Sequence, residues 1–342
     1  MKLLTLVIPS YNSERYLTNC LDSLLIGLDD VLEVIVVNDG STDNTSKIAH
    51  EYADKYDFIK VIDKENGGHG SGINAGLDVA TGLFFKILDS DDGMDKEGLT
   101  NLIEIMKKHI KENNVPDLYL ADYYCVPDDG SERVITSVKS RVKELNTVHK
   151  YDGFKKIKES NYFMTHMLYI KLECLKKNNV RLLEKCFYED TQYTLYAFMI
   201  CDTFCYVDKP IYLYTVGRAG QSVSLEKVAN NYHYQLRVSY ECVNMLSTEK
   251  LNQYDKCQQR IIMHEFNTIF YLTFFFCHIR ATKEKQQKYG ELVETFKKKD
   301  LALYKRVFRH SLMFWFTAIP YHLRGKVTDL VYKTCSKKFG WR

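Results

Sequence analysis

The chain has 342 residues, 45% hydrophobic and 27% charged, which excludes a disordered or low-complexity protein and allows one to three domains. Ten cysteines stand singly without a CxxC spacing, so neither a structural zinc site nor a disulfide framework is expected, and a reducing cytoplasm is the default. The net charge of +3 hides an asymmetry: from Phe296 onward 12 Lys and Arg face only Asp300 and Asp329, and everything before is net acidic.

Met1 to Pro9 is too short for a signal peptide and lacks a small-residue cleavage site, so it reads as a first buried strand. Strand-like runs follow at Leu32–Asn38, Phe58–Asp63, Leu83–Leu88 and Asp117–Asp122. Between them lie helical patterns at Glu14–Leu25, Thr42–Tyr56, Gly72–Ala80 and Asp95–His109. This alternation predicts an α/β fold, a mostly parallel, Rossmann-like sheet covered on both faces, with ligands at the carboxyl ends of its strands. A hairpin is expected over Tyr123–Val138, turning at Asp128-Asp-Gly130. A mixed region runs to about residue 220, and the rest, 221–342, reads as mainly helical. The apolar run Ile261–Ile279 contains His264, Glu265 and Asn267, which favours a buried helix over a membrane span.

Polar and acidic residues gather at the predicted strand ends. The first ends in Pro9-Ser-Tyr-Asn12, the second in Asn38-Asp-Gly-Ser-Thr-Asp43, the fourth in Asp89-Ser-Asp-Asp92. Acids crowded into four residues can flank a hard divalent cation, Mg²⁺ or Mn²⁺, that bridges to a diphosphate; alternatively they form an acidic turn before a cap at Asp95. Tyr11 can stack on a base and Asp39 can accept from a pyrimidine N–H. Equally, Asn12, Ser41 and Thr42 can cap the helices that follow. Cys186-Phe-Tyr-Glu-Asp places Glu189 and Asp190 at a helix start, suited to a rigid general base or merely to the helix dipole.

In that order, with Asn66-x-Gly68, Asn74-x-Gly76 and Ala80-Thr-Gly82 between them, these motifs resemble those of family-2 nucleotide-sugar glycosyltransferases of the GT-A fold, the bacterial polysaccharide and cell-surface glycan type. The resemblance covers about residues 1–220, and it implies a catalytic domain there. Its nucleotide-sugar half would be 1–95 and its acceptor half 96–220, with a helical region carrying a basic amphipathic tail over 221–342. It implies that Pro9, Tyr11, Asn12 and Asp39 line the nucleotide, with Asn66, Gly68 and Asn74 beside it. Asp89, Ser90 and Asp91 match the Asp-x-Asp motif, Asp91 as metal ligand and Asp89 toward the ribose or sugar as well as the metal. Asp190 matches the catalytic base, with Glu189 as its neighbour, and Arg218 lies in a stretch like the loop that closes over donor phosphates. The implied reaction is metal-dependent inverting transfer of a sugar, of hexosyltransferase type, from a UDP-sugar to a glycan or lipid-linked acceptor.

Two positions depart from the family. Gly72-Ile-Asn74 stands where relatives commonly have Ala-Arg-Asn, which leaves Lys86 or Arg218 to supply the missing cation, and His69 is unusual in its loop. His166 reads as packing or as a lining of the acceptor site. Gly70-Ser-Gly-Ile-Asn-Ala75 satisfies G-x-G-x-x-A but follows the third strand, so a dinucleotide site is rejected. A non-catalytic nucleotide-sugar-binding subunit is the alternative reading, and a sugar nucleotidyltransferase a weaker one.

The tail carries Leu301, Tyr304, Phe308, Leu312 and Trp315 on one helical stripe, flanked by Lys298, Lys305, Arg306 and Arg309. That pattern suits a helix lying on the anionic cytoplasmic face of the inner membrane, or one docked on the rest of the chain. No nucleic-acid recognition motif accompanies the charge, and self-association is compatible with the sequence.

Overall fold

Residues buried on both sides of a strand need helices over both faces, and the first two strands meet that condition at every position: β1 (Leu4–Ser10) and β2 (Leu32–Asp39) are buried throughout. The computed structural model describes residues 2–157, 162–217 and 225–308, with Lys326, Val327 and Leu330. It divides into two compact units, Met1–Cys186 with Tyr193–Val216, and Phe187–Gln192 with Gly217–Arg342.

In the first unit β1 and β2 alternate with α1 (Leu17–Asp22) and α2 (Thr45–Ala53), followed by β3 (Ile59–Lys64), α3 (His69–Val79), β4 (Phe84–Ile87), β5 (Gly93–Met94) and α4 (Lys96–Lys111). Then come β6 (Leu118–Pro127), β7 (Val134–Thr136), β8 (Val148–His149), β9 (Leu168–Lys171), α5 (Leu172–Lys177), α6 (Asp190–Ile200), whose first three residues count with the second unit, and β10 (Phe204–Val216). One sheet orders them β3-β2-β1-β4-β9-β6-β10-β5, with β7 on β6 and β8 on β10. β1 runs parallel to β2 and β4, β2 to β3, and β6 to β10. The antiparallel β9 is inserted between β4 and β6. This is the expected α/β architecture, with the expected hairpin: Tyr124 faces Ile135, and Gly130 closes the turn on the Pro127 carbonyl.

Pro9 has no N–H to give a ladder, and it lies beyond the end of β4, whose pairing with β1 stops at Val7. Helix α3 packs over β1 through glycines. A Cβ on Gly76 would lie 2.3 Å from Val7 Cγ1, and one on Gly72 would lie 2.9 Å from Pro9 Cβ. The glycine spacing therefore serves close helix–sheet approach, which sets the height of the 66–72 loop above the sheet. The helix itself starts at His69, a turn earlier than Gly72.

The second unit holds α7 (Leu225–Asn230), α8 (Tyr232–Met245), α9 (Thr248–Leu251), α10 (Lys256–His278), α11 (Lys283–Lys299) and α12 (Leu301–Phe308). The apolar run lies in α10 and is core, as expected: Ile262, Phe266, Phe270 and Phe274 are buried, with Phe296 of α11 against Phe266 and Phe270. Among the described residues no helix is long and apolar enough to cross a membrane. The start of the tail is packed here too. Leu303, Val307 and Phe308 are buried, and Asp300 accepts from the Thr248 N–H and hydroxyl. On the stripe expected for this helix Leu301 is exposed, Tyr304 is half-buried against Phe296 and Phe308 is buried. Leu312 and Trp315 lie outside the described residues.

Val7 is β-branched and stiff, so it cannot yield to a methyl at 2.3 Å. Gly76→Ala should therefore destabilise the chain by about 1–3 kcal/mol despite its better helix propensity, read as a lower midpoint in urea unfolding.

Candidate active site

The loops that leave β1, β2, β3 and β4 all emerge at one edge of the sheet, and they hold one another by hydrogen bonds. Asn12, at φ 49°, accepts from the Thr42 N–H at 2.8 Å and donates its own N–H to Ser41 Oγ. Glu14 accepts from Asn44, and Asp43 accepts from the Glu14 N–H and from Thr45. Ser13 reaches Ser90 of the β4 loop at 2.7 Å. The expected caps at Asn12, Ser41 and Thr42 are thus replaced by a cross-loop network between the first two strand ends. Tyr11 is left 54% exposed beside it, its ring open for stacking.

Asp39 organises the glycine loop. Its carboxylate, almost wholly buried, accepts from the Gly67 N–H at 2.9 Å, the Gly68 N–H at 2.8 Å and Lys64 Nζ at 2.7 Å, while its carbonyl accepts from Asn66 Nδ2. Gly68 sits at φ 85°, where a side chain would be strained and its Cβ would meet the Lys185 backbone at 3.1 Å. Asn74, in α3, bonds the 182–184 segment. Both ends of its amide are engaged, accepting from the Leu182 N–H and donating to the Leu182 carbonyl and Glu184. The expected nucleotide-lining residue thus also clamps the 182–184 segment.

At the end of β4 the acids meet two histidines. His69, the first residue of α3, lies 3.0 Å from Asp89 Oδ1, and both side chains are about a third exposed. Burial alone would raise the Asp89 carboxyl, but the His69 hydrogen bond and charge hold it at about 2. Asp92 is buried and accepts from Tyr212 Oη at 2.7 Å and the Thr215 N–H at 2.8 Å. Burial, with Asp89 and Asp91 close by, pushes its pKa well up. Tyr212 Oη also accepts from the Asp89 N–H, so one phenol fixes both ends of the motif.

Beneath the acids Lys86 is fully buried. Its Nζ donates to the carbonyls of Thr165 and His166 at 2.7 and 2.8 Å and lies over the rings of Tyr169 and Tyr212. Burial lowers its pKa well below the usual value, against the pull of Asp89 and Asp92. It therefore makes no contact with a phosphate at the surface. His166 is buried as well, and burial lowers its ring to about 4. The ligand atoms of Asp89, Asp92 and His166 lie within 4.8 Å of one another, the group of side chains among the described residues best able to hold a metal ion. Asp91 is half-buried and not part of that group.

Glu189 is buried and Asp190 opens α6, both within the second unit. Arg218 lies outside the described residues. Sequence reasoning passed over Tyr212 and Thr215, which carry no local signal, and gave no role to Asp92, which stood inside the quoted motif.

An α/β sheet of this order, with acidic residues at the end of β4, defines a GT-A glycosyltransferase fold. Residues 5–169 match the family described as Glycosyl transferase family 2. An uncharacterized glycosyltransferase of Mycoplasma pneumoniae, the MG025 homolog, is 29% identical over 65% of this chain and 71% of its own length. The uncharacterized glycosyltransferase YibD of Escherichia coli K12 is 25% identical over 89% of this chain and 86% of its own. Staphylococcus aureus TarS 1–349, solved in complex with UDP-GlcNAc, shares the fold at a TM-score of 0.64 and 22% identity, over 99% of this chain and 92% of that one. Over residues 5–169 the chain is thus similar to glycosyltransferase family 2.

Asp39→Ala should strand the buried Gly67 N–H and the part-buried Gly68 N–H and cost about 2–4 kcal/mol in urea unfolding. Binding of UDP, followed by calorimetry, should weaken in the same variant, because the glycine loop loses its anchor.

Proposed function

We propose that the chain transfers a sugar from a UDP-sugar to a hydroxyl of a glycan or lipid-linked glycan, with inversion at the anomeric carbon. The observation that carries this reading is the crowding of Asp89, Asp91 and Asp92 at the carboxyl end of β4, with His69 and the Asp39-anchored glycine loop beside them. That edge suits a nucleoside diphosphate. Tyr11 offers a ring face to the base, and Asp39 a carboxylate near it. The solved TarS complex with UDP-GlcNAc supports the donor class.

The residues present fit a divalent cation: the ligand atoms of Asp89, Asp92 and His166 converge within 4.8 Å, and Asp92 is buried with the carboxylates of Asp89 and Asp91 close by. Asp89 and Asp91 are the residues that would hold Mn²⁺ or Mg²⁺, which when bound supplies positive charge against the leaving diphosphate. The acceptor oxygen forms its bond to the anomeric carbon as the bond to the diphosphate oxygen breaks. UDP leaves with the electron pair, and Asp190 takes the hydroxyl proton, with Glu189 beside it at the start of α6. Arg218 belongs to the stretch that would close over the phosphates.

The basic surplus after Phe308 suits attachment to the cytoplasmic face of an anionic membrane, where lipid-linked acceptors are presented. The chain would act there as a peripheral protein, alone or as a homo-oligomer.

UDP release from a panel of UDP-sugars, with Mn²⁺ and with EDTA, identifies the donor and the metal requirement. Asp190→Asn should lower kcat by about 10²–10⁴ while the Kd for the donor holds; full activity in this variant would overturn the assignment of the base. Removing residues 309–342 leaves the packed α12 in place and should abolish co-sedimentation with anionic vesicles. Unchanged sedimentation would remove the membrane from the proposal.

A further inference from the structure

His166 is held by more contacts than a packing residue needs. The turn that carries it, Thr165–Met167, is pinned from below by the buried Lys86, which donates to two successive carbonyls. Its ring lies between Tyr212 and Tyr214, with centroids 4.5 and 4.4 Å away and planes within 30° of parallel, and Tyr123 meets it edge-on. Despite this fixing, Nε2 is buried without a hydrogen-bond partner. A histidine placed only to fill space would usually find a carbonyl or hydroxyl for that nitrogen.

What lies near it is acidic. The ligand atoms of His166, Asp89 and Asp92 fall within 4.8 Å of one another, with Asp89 at the more exposed end of the group. Asp92 has the surroundings of a ligating carboxylate: Tyr212 Oη and the Thr215 N–H each hold one of its oxygens and leave lone pairs for a third group. Tyr212 joins these parts, since its hydroxyl bonds Asp92 and the Asp89 backbone while its ring supports His166 and covers Lys86.

We infer that His166 is a nitrogen ligand to a divalent cation shared with Asp89 and Asp92. The inference rests on the proposed metal-assisted transfer and moves the cation from the Asp89–Asp91 pair to a mixed oxygen and nitrogen set. A nitrogen in the set favours Mn²⁺ over Mg²⁺, because Mg²⁺ prefers oxygen donors alone. Lys86 is then a positioning residue, which sets the turn that aims the imidazole.

The test is pulsed electron paramagnetic resonance on the full, untagged chain loaded with Mn²⁺ in the presence of UDP. Nitrogen-14 coupling to the manganese is expected in the native protein, with the nitrogen-15 pattern replacing it after growth on ¹⁵N-histidine. The coupling should vanish in His166→Phe, which keeps the aromatic stack, and persist in His69→Gln. Mn²⁺ affinity should fall about tenfold or more in His166→Phe, and native Mg²⁺ binding should be weaker than Mn²⁺ binding by about the same factor.

Mn²⁺ bound without histidine coupling and lost in Asp91→Asn would overturn the inference and leave the proposed function standing. Coupling that disappears in His69→Gln rather than His166→Phe would also overturn it. Absence of Mn²⁺ binding would overturn the cation itself, and sugar transfer measured in EDTA would then decide whether the transferase reading survives. Should His166→Phe fail to fold, the isotope pattern in the native chain together with His69→Gln still decides.

Discussion

A lysine with no exposed surface, placed under a row of carboxylates, is the contact on which the arrangement of this site depends. Lys86 lies in β4 between Phe85 and Ile87, all of them buried. A lone charge there would be prohibitive, and its neighbours compensate for it: two carbonyls, two aromatic faces and the negative field of Asp89 and Asp92. Each partner belongs to a different part of the first unit. The carbonyls belong to the turn before β9, Tyr169 to β9 itself and Tyr212 to β10. One ammonium group therefore fixes how the antiparallel β9 is seated between β4 and β6. A methionine of similar length would fill the space but leave both carbonyls without a donor.

Above that point the loops are rigid because they satisfy one another's backbone. The turns after β1 and β2 exchange hydrogen bonds through Asn12, Ser41, Asp43 and Thr45, and the β3 loop hangs from Asp39. Such loops lose little conformational entropy on meeting a ligand, because folding has already ordered them. The half-exposed groups among them, Tyr11, His69 and Asp89, are the ones left to meet it.

The parallel half of the sheet was legible because burial on both faces leaves uninterrupted apolar runs, and the turns between them are marked by Gly, Asn and Asp. β9 was not legible. Leu168–Lys171 is four residues long, and it is a strand because β4 and β6 flank it, a condition set by tertiary structure. The start of α3 at His69 was hidden by glycines that disfavour helix in isolation and are tolerated here because β1 lies so close. Asn74 carries a structural contact that motif matching does not show. It stands at a family position, yet its amide is wholly engaged with a segment more than a hundred residues away. Asp89 and Asp92 could be found from spacing, whereas Tyr212 and His166 reach them through sheet order, which short-range patterns do not encode.

The long apolar helix of the second unit tests hydropathy against packing. α10 carries Thr273, whose hydroxyl meets Gln235 and Ser239 of α8, all of them fully buried. Just beyond it Lys285 donates to the carbonyls of Ala229 and Ile279. Hydrogen bonds of this kind couple a helix to particular neighbours, and burial in aromatic rings rather than lipid explains its composition. The buried Glu265, its carboxyl pushed well up by desolvation, fits the same interior, since a neutral acid is tolerated where a carboxylate is not. Packing also accounts for the first turns of the basic tail, where Leu303 and Phe308 face inward and Lys305 and Arg306 face out. Lysines on the outer side of a docked helix need no lipid to explain them, so only the charge beyond Phe308 bears on a membrane.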